Sequence, residues 1–337
     1  MNLMSVGDMA QAYQMRRQNV QLKERMTQLS EELTTGVKAN LSEALSGDFV
    51  ALSGIDRSLK TLESYGTATS EAALFTATMQ NALGAAGDMT GEMGASLLSA
   101  ATTTSPAQLR TATADARERF LGVVSTLNVQ VGERYVFAGK TSDVRPFASG
   151  EEMLAALATA SAGAVSATDL VAAVDAWFDV PAGAGGFLDT GYLGSDEALA
   201  PFRLGADESA ELGVTGADPA IRDLLKGLAL AALVSEGALA GSNEERARVA
   251  RVAGERVLGA EGSLAILRAR VGAVEGHIDQ AAVRNAAETS ALGIARNEMV
   301  GAEPYATASA LEAVTTQMET LYTLTARLSR LSFAEYL

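Results

Sequence analysis

The sequence predicts a mainly α fold of elongated form. Its terminal helices pair as a coiled coil, a helical second domain carries a β-hairpin, and a small mixed α/β insert interrupts the middle. Three observations predict this. Both ends of the chain carry an apolar stripe at alternating spacings of three and four. Hydrophobic residues make up 48% of the 337 positions but aromatics only 5%, a balance that favours Ala/Leu helix packing over sandwich or barrel cores. Between the ends lies an acidic, glycine-interrupted centre.

The C-terminal stripe is Leu311, Val314, Met318, Leu321, Thr325 and Leu328, with Leu324 and Leu331 beside it. This is an a/d heptad seam, the pattern that buries one stripe of a helix against another helix. No Gly or Pro follows Ala306, so the helix can run unbroken for about 25 residues, or ~38 Å. A stripe that long needs a partner. The N-terminal stripe matches it in period: Met15, Asn19, Leu22, Met26, Leu29 and Leu33, flanked by Tyr13 and Val20. Residues 1–12 are poorly periodic and are expected to fray. The candidate assembly interface is therefore Met15, Leu22, Met26, Leu29, Leu33, Leu311, Val314, Met318, Leu321, Leu324, Leu328 and Leu331.

Between the two ends the elements follow in order. Thr35-Gly36 stops the first helix, with Gly at a C-cap position. Val37–Asp48 reads as a connector. Leu52, Ile55, Leu59 and Leu62 restart a helical seam that continues towards Leu83, with Gly66 weakening its middle. Gly84, Gly87, Gly91 and Gly94 predict broken helix with small-residue packing. Ser105-Pro106 starts the next helix, with Ser as N-cap and Pro at the first helical position. Leu109, Ala112, Ala116, Phe120, Val124, Leu127 and Val131 share one face. From Glu133 the stretch RYVFAGKTSDVRPF alternates, predicting a hairpin with a Gly-Lys turn region.

Residues 147–219 are the acidic insert. Helices are expected over 151–160 and 168–178, a flexible loop over 181–186, and strands between 187 and 215, the whole forming its own small domain. Asp218-Pro219 opens a helix through Leu228 and Ala232. Asn243-Glu-Glu caps another, and a long seam from Leu264 to Leu292 follows, with Asn285 and Glu288 as polar residues on it. A buried Asn at such a position can fix register. The predicted organisation is thus 1–40 plus 300–337, 41–146 plus 220–299, and 147–219.

Composition restricts function. The formal net charge is −15, and between Phe147 and Ala220 twelve carboxylates stand against a single base, Arg203. Phosphate contacts need Lys and Arg, so this segment does not predict nucleic-acid binding. No cysteine is present, which excludes disulfides, thiolate metal sites and Cys nucleophiles. MNLMSVGDMAQAY has neither a basic n-region nor an apolar h-region, so no cleaved secretory signal is read. The most apolar run, Leu228–Val234, is too short to span a bilayer, so no membrane insertion is expected.

Motifs for chemistry fail on inspection. Gly139-Lys140-Thr141 ends like a phosphate loop, but the first Gly is replaced by Arg134. Gly183, Gly185 and Gly186 do not match a dinucleotide fingerprint. His277, the only histidine, has no second ligand spaced with it and reads as a surface or seam-edge residue. Glu31-Glu32 and Glu151-Glu152 are adjacent, and adjacent helical side chains point about 100° apart. With no nucleophile set beside an orienting base, the sequence predicts no enzyme, no cofactor and no metal.

Four stretches carry a resemblance. They are LSEELTTGVKANLSEALSGD near the N-terminus, ERYVFAGKTSDVRPF, GYLGSDEALAPFRLGADESAELGVTGADPAIRDLLKGLALAA, and the ending ALEAVTTQMETLYTLTARLSRLSFAEYL. In this order they resemble the flagellin family of bacterial flagellar axial proteins, and within it the hook–filament junction type, the third hook-associated proteins. Tyr336-Leu337 leans towards the junction type. Leu45-Ser-Gly-Asp48 departs from the family, whose turn here usually carries a Pro. The resemblance implies a structural, rod-like subunit exported by the flagellar type III apparatus. It also implies extracellular placement at the hook–filament junction, a ring of like subunits, and neighbours in the first hook-associated protein and filament flagellin. A chaperone would hold the C-terminal helix before export. Filament flagellin is the alternative within the class, and a secreted coiled-coil adhesin or translocator the alternative outside it.

Overall fold

The computed structural model describes residues 6–103 and 105–334; the side chains of 6–8, 12 and 328–334 lie outside the described set. The fold is mainly helical, with two small antiparallel hairpins. In order, the elements are α1 (Val6–Thr35), α2 (Leu41–Ala44), α3 (Val50–Thr90), α4 (Met93–Thr102), α5 (Pro106–Leu127), β1 (Gln130–Val131) and β2 (Arg134–Tyr135). After these come α6 (Gly150–Ala160), α7 (Ala167–Asp179), a π-helical turn (Phe187–Gly191), β3 (Phe202–Arg203), β4 (Ser209–Ala210), α8 (Pro219–Ser235), α9 (Asn243–Val300) and α10 (Pro304–Ala334). Two compact units separate. One is drawn from Met1–Glu63 and Ala286–Leu337, the other is Ser64–Asn285.

The Ser64–Asn285 unit has one continuous core. Phe75, Met79 and Leu83 of α3, Phe120 and Val124 of α5, Leu154 and Leu157 of α6, Val174 and Phe178 of α7, and Leu267 and Val271 of α9 all belong to it. Its innermost helix is α8, in which every residue from Ile221 to Val234 except Arg222 and Asp223 is buried. Removing that much apolar surface from water is the main stabilising force here, at about 25 cal/mol per Å². Segment 147–219 joins this core instead of closing a body of its own, which corrects the expected separate domain. The Phe202 ring lies 5.9 Å from Phe75 of α3, α6 packs on α5 and α8, and α7 packs on α8. Within the segment the aromatic rings cluster. The Phe187 ring lies 5.1 Å from Phe178, 5.9 Å from Trp177 and 6.1 Å from Tyr192, and Phe147 lies 5.7 Å from Tyr192. Glycines make room for them: a Cβ on Gly216 would sit 2.6 Å from both the Phe147 and Tyr192 rings.

Local chemistry sets the helix starts. Ser149 and Ser166 each form a reciprocal capping box, with Glu152 and Asp169 respectively. The two carboxyls are held below their usual range chiefly by those serine hydroxyls. Asp218 accepts from the Ala220 amide ahead of Pro219. Ser105 precedes Pro106 without a side-chain cap bond.

Several boundaries differ from expectation. α3 runs through Gly66, Gly84 and Gly87, and the chain breaks at Gly91-Glu92. Gly84 packs beneath the Arg268 guanidinium and Gly87 beneath Leu264, so tertiary contact offsets the weak helix propensity. The hairpin turn is Gly132-Glu133, with Gly132 at φ +59°, not Gly139-Lys140. The stretch 187–215 holds a π-turn and two-residue strands in place of full strands. α9 is a single helix of 58 residues. α1 is already helical at Val6; the expected fraying of residues 1–5 and the Tyr336-Leu337 ending lie outside the described residues.

Candidate assembly surface on the terminal helices

In the unit formed by the chain ends, α1 packs against α10. The two seams supply the contact. Leu29 is 4% exposed, and Val314 and Leu321 are each 9% exposed. Met15, Leu22, Met26, Leu311 and Met318 are half-buried. The Thr325 hydroxyl approaches the Met15 sulfur at 3.8 Å. Leu33 and Leu324 stay exposed, at 42% and 49%. The side chains of Leu328 and Leu331 lie outside the described residues. Of the predicted interface residues, then, eight are buried or half-buried and two are exposed.

The pairing leaves other apolar surface uncovered. Met9, Tyr13 and Val20 are more than half exposed. At 100° per residue they fall within one narrow sector of α1, well away from its seam. Exposed Arg16, Arg17 and Lys23 flank that sector. On α10, Tyr305 and Tyr322 are exposed at 86% and 48%. A groove of about 480 Å³ between the two helices has Leu22, Leu321 and Leu324 among its lining residues, with Gln18, Gln21 and Gln317 beside them.

The loops at the inner ends of α1 and α10 are joined, which the sequence did not foretell. Val37 and Gly301 form an antiparallel bridge. The Lys38 amide donates to the Val300 carbonyl and the Ala302 amide to the Gly36 carbonyl, each at 2.9 Å. No side-chain pattern marks this junction, because its bonds run between backbone groups. Elsewhere in this unit Arg296 pairs with Asp56 at 2.7 Å.

In the Ser64–Asn285 unit several charged groups pair with one another. Lys226, its side chain 11% exposed, donates to both oxygens of Asp179 at 2.7 and 2.8 Å. Arg256 forms a two-point pair with Asp175, and this hydrogen bonding raises the arginine pKa. Arg117 reaches Glu118, Glu151 and Glu236. Such pairs tie α7 to α8 and α9, and α5 to α6. Lys140, from the failed phosphate-loop motif, pairs with Glu197 at 2.8 Å. His277 faces Glu208 at 3.5 Å, alongside Arg284. Asn285 donates to the Leu204 carbonyl at 2.8 Å, and Glu288 is exposed. Among the described residues, no group of three His, Cys, Asp or Glu is placed to hold a metal ion. No described helix is long and apolar enough to cross a membrane. Compared with protein-family models and with curated proteins, the chain matches none.

Proposed function

We propose that the protein is a structural axial subunit of the bacterial flagellum, an adaptor that joins hook to filament after export by the flagellar type III system. The observation that carries this reading is the terminal pair of helices. The two helices contact each other and bury part of their seams, yet each keeps large apolar side chains in the open. Isolated exposed apolar residues are ordinary, but Met9, Tyr13 and Val20 gathered on one sector of α1 fit a surface meant for a neighbour. The four family-like stretches support the same reading. On this view further copies of the chain, the first hook-associated protein and filament flagellin are the neighbours, and a chaperone covers α10 before export. The protein is placed outside the cell, at the hook–filament junction.

A truncation removing residues 311–337 tests this. It takes away Val314 and Leu321, the buried side of the α10 seam, and touches no residue of the Ser64–Asn285 core. The expected outcome is a protein whose Trp177 emission is unchanged but which no longer enters the flagellum, leaving cells non-motile. Motile cells with full filaments would overturn the proposal. Labelling along the whole filament by a tagged full-length copy would replace it with the filament flagellin reading.

A further inference from the structure

We infer that the bridge between residues 36–38 and 300–302 is a register clamp that sets how α1 and α10 pair. The seam alone leaves register weakly specified. Among the described residues its buried members are Leu29, Val314 and Leu321, while Asn19 and Thr325 put polar groups on it. Sliding one helix by a heptad, about 10 Å, would again set apolar against apolar. The clamp allows no such slide. Its two 2.9 Å backbone hydrogen bonds lie one residue beyond the Val37–Gly301 pair on either side, as in an antiparallel ladder. α1 ends at Thr35 and α10 begins at Pro304, so both helices are fixed in phase within three residues of the bridge.

Both strands of the clamp are shaped for it. Gly36 turns the chain at φ +70°, in the left-handed region, and its amide donates to the Glu32 carbonyl. A Cβ on Gly301 would fall 2.5 Å from the Asn297 carbonyl oxygen, so only glycine fits there without a shift. The Glu32 carboxylate accepts from the Ala39 amide and from the Gln28 side chain, both at 3.1 Å, which ties the clamp loop back to the last turn of α1.

The chain has no cysteine, so nitroxide labels at Gln18→Cys and Gln317→Cys, on the groove between α1 and α10, report uniquely on their pairing. Lys38→Pro removes one clamp donor and Ala302→Pro the other. In the full-length protein, dipolar broadening between the labels is expected in the parent and lost in either proline variant. Amide exchange over residues 16–33 and 308–327 is expected to quicken together, by about tenfold or more. Gln14→Glu, at an exposed position of α1 with matched helix propensity, should leave both readouts unchanged. Parent-like broadening and exchange in both proline variants would overturn the inference, as would a parent with no coupling between the labels. The test reads no flagellar phenotype, so its failure and that of the proposed function are separable.

Discussion

Gly254 and Gly262 lie eight residues apart on α9, and the same substitution at each is predicted to act with opposite sign. A Cβ on Gly262 would meet nothing within 4 Å. Alanine there removes the helix-propensity deficit of glycine and should stabilise the protein by about 1 kcal/mol. A Cβ on Gly254 would lie 2.8 Å from the Gly94 carbonyl oxygen, 3.0 Å from Leu98 and 3.2 Å from Leu97. The reciprocal contact is as tight: a Cβ on Gly94 would sit 3.0 Å from the Gly254 carbonyl oxygen and 2.6 Å from Leu258. A backbone carbonyl cannot swing aside as a side chain can, so α4 and α9 must separate. Overpacking of this kind costs about 1–3 kcal/mol, against the same ~1 kcal/mol propensity gain. Gly254→Ala should therefore lose up to about 2 kcal/mol while Gly262→Ala gains about 1. For a unit of this size that corresponds to melting shifts of about 2–4 °C per kcal/mol. Urea unfolding followed by the single tryptophan, Trp177, reads both variants. Equal stabilisation by both would refute the close approach of α4 and α9.

Four further outcomes are expected. Burial raises the Tyr192 hydroxyl to about 12, while its oxygen lies 2.8 Å from the Ser195 carbonyl and 3.0 Å from that of Phe137. The unfolded chain then loses this proton first, so stability present below pH 10 should fall between pH 10 and about 12, by roughly 2 kcal/mol. Tyr192→Phe should abolish that part of the alkaline slope in chemical denaturation. Ser149→Ala removes a capping box and should cost about 1 kcal/mol by the same measurement. In acid, the carboxyls of Glu152 and Asp169, held low by their caps, contribute stability that is present at neutral pH and lost as pH falls through their depressed values, which a pH series on Ser166→Ala should show as a flattened acid limb. Tyr13→Asp with Val20→Asp places charges on the open face of α1, so circular dichroism should be unchanged while, if the proposed function holds, incorporation into the flagellum is lost.

Much of the helical framework was legible because it depends on local signals. Heptad spacing in 15–33 and 311–328, Ser105-Pro106 and Asp218-Pro219 all act within one or two turns of their own position. What stayed hidden depends on distant partners. Gly84 and Gly87 read as breakers because Arg268 and Leu264 lie far away in sequence. Gly139 looks like a hairpin turn in sequence; it does turn, at φ +61°, but a Cβ there would fall 2.2 Å from the Ser195 carbonyl oxygen. The acidic surplus of 147–219 suggested an independent body, and masked the fact that Met153, Leu170, Trp177 and Phe187 face the common core. In the candidate surface, buried seam positions such as Leu29 and Leu321 followed from periodicity. The clamp did not, since two backbone hydrogen bonds between loops more than 260 residues apart leave no pattern in side-chain types.

The most direct test of the proposed assembly role is where a tagged full-length copy is found on flagellated cells that express it, by immunogold labelling. The account predicts one cluster of label at the base of each filament, where it meets the hook. Label spread along the filament, or found on the cell body with none on flagella, would contradict it.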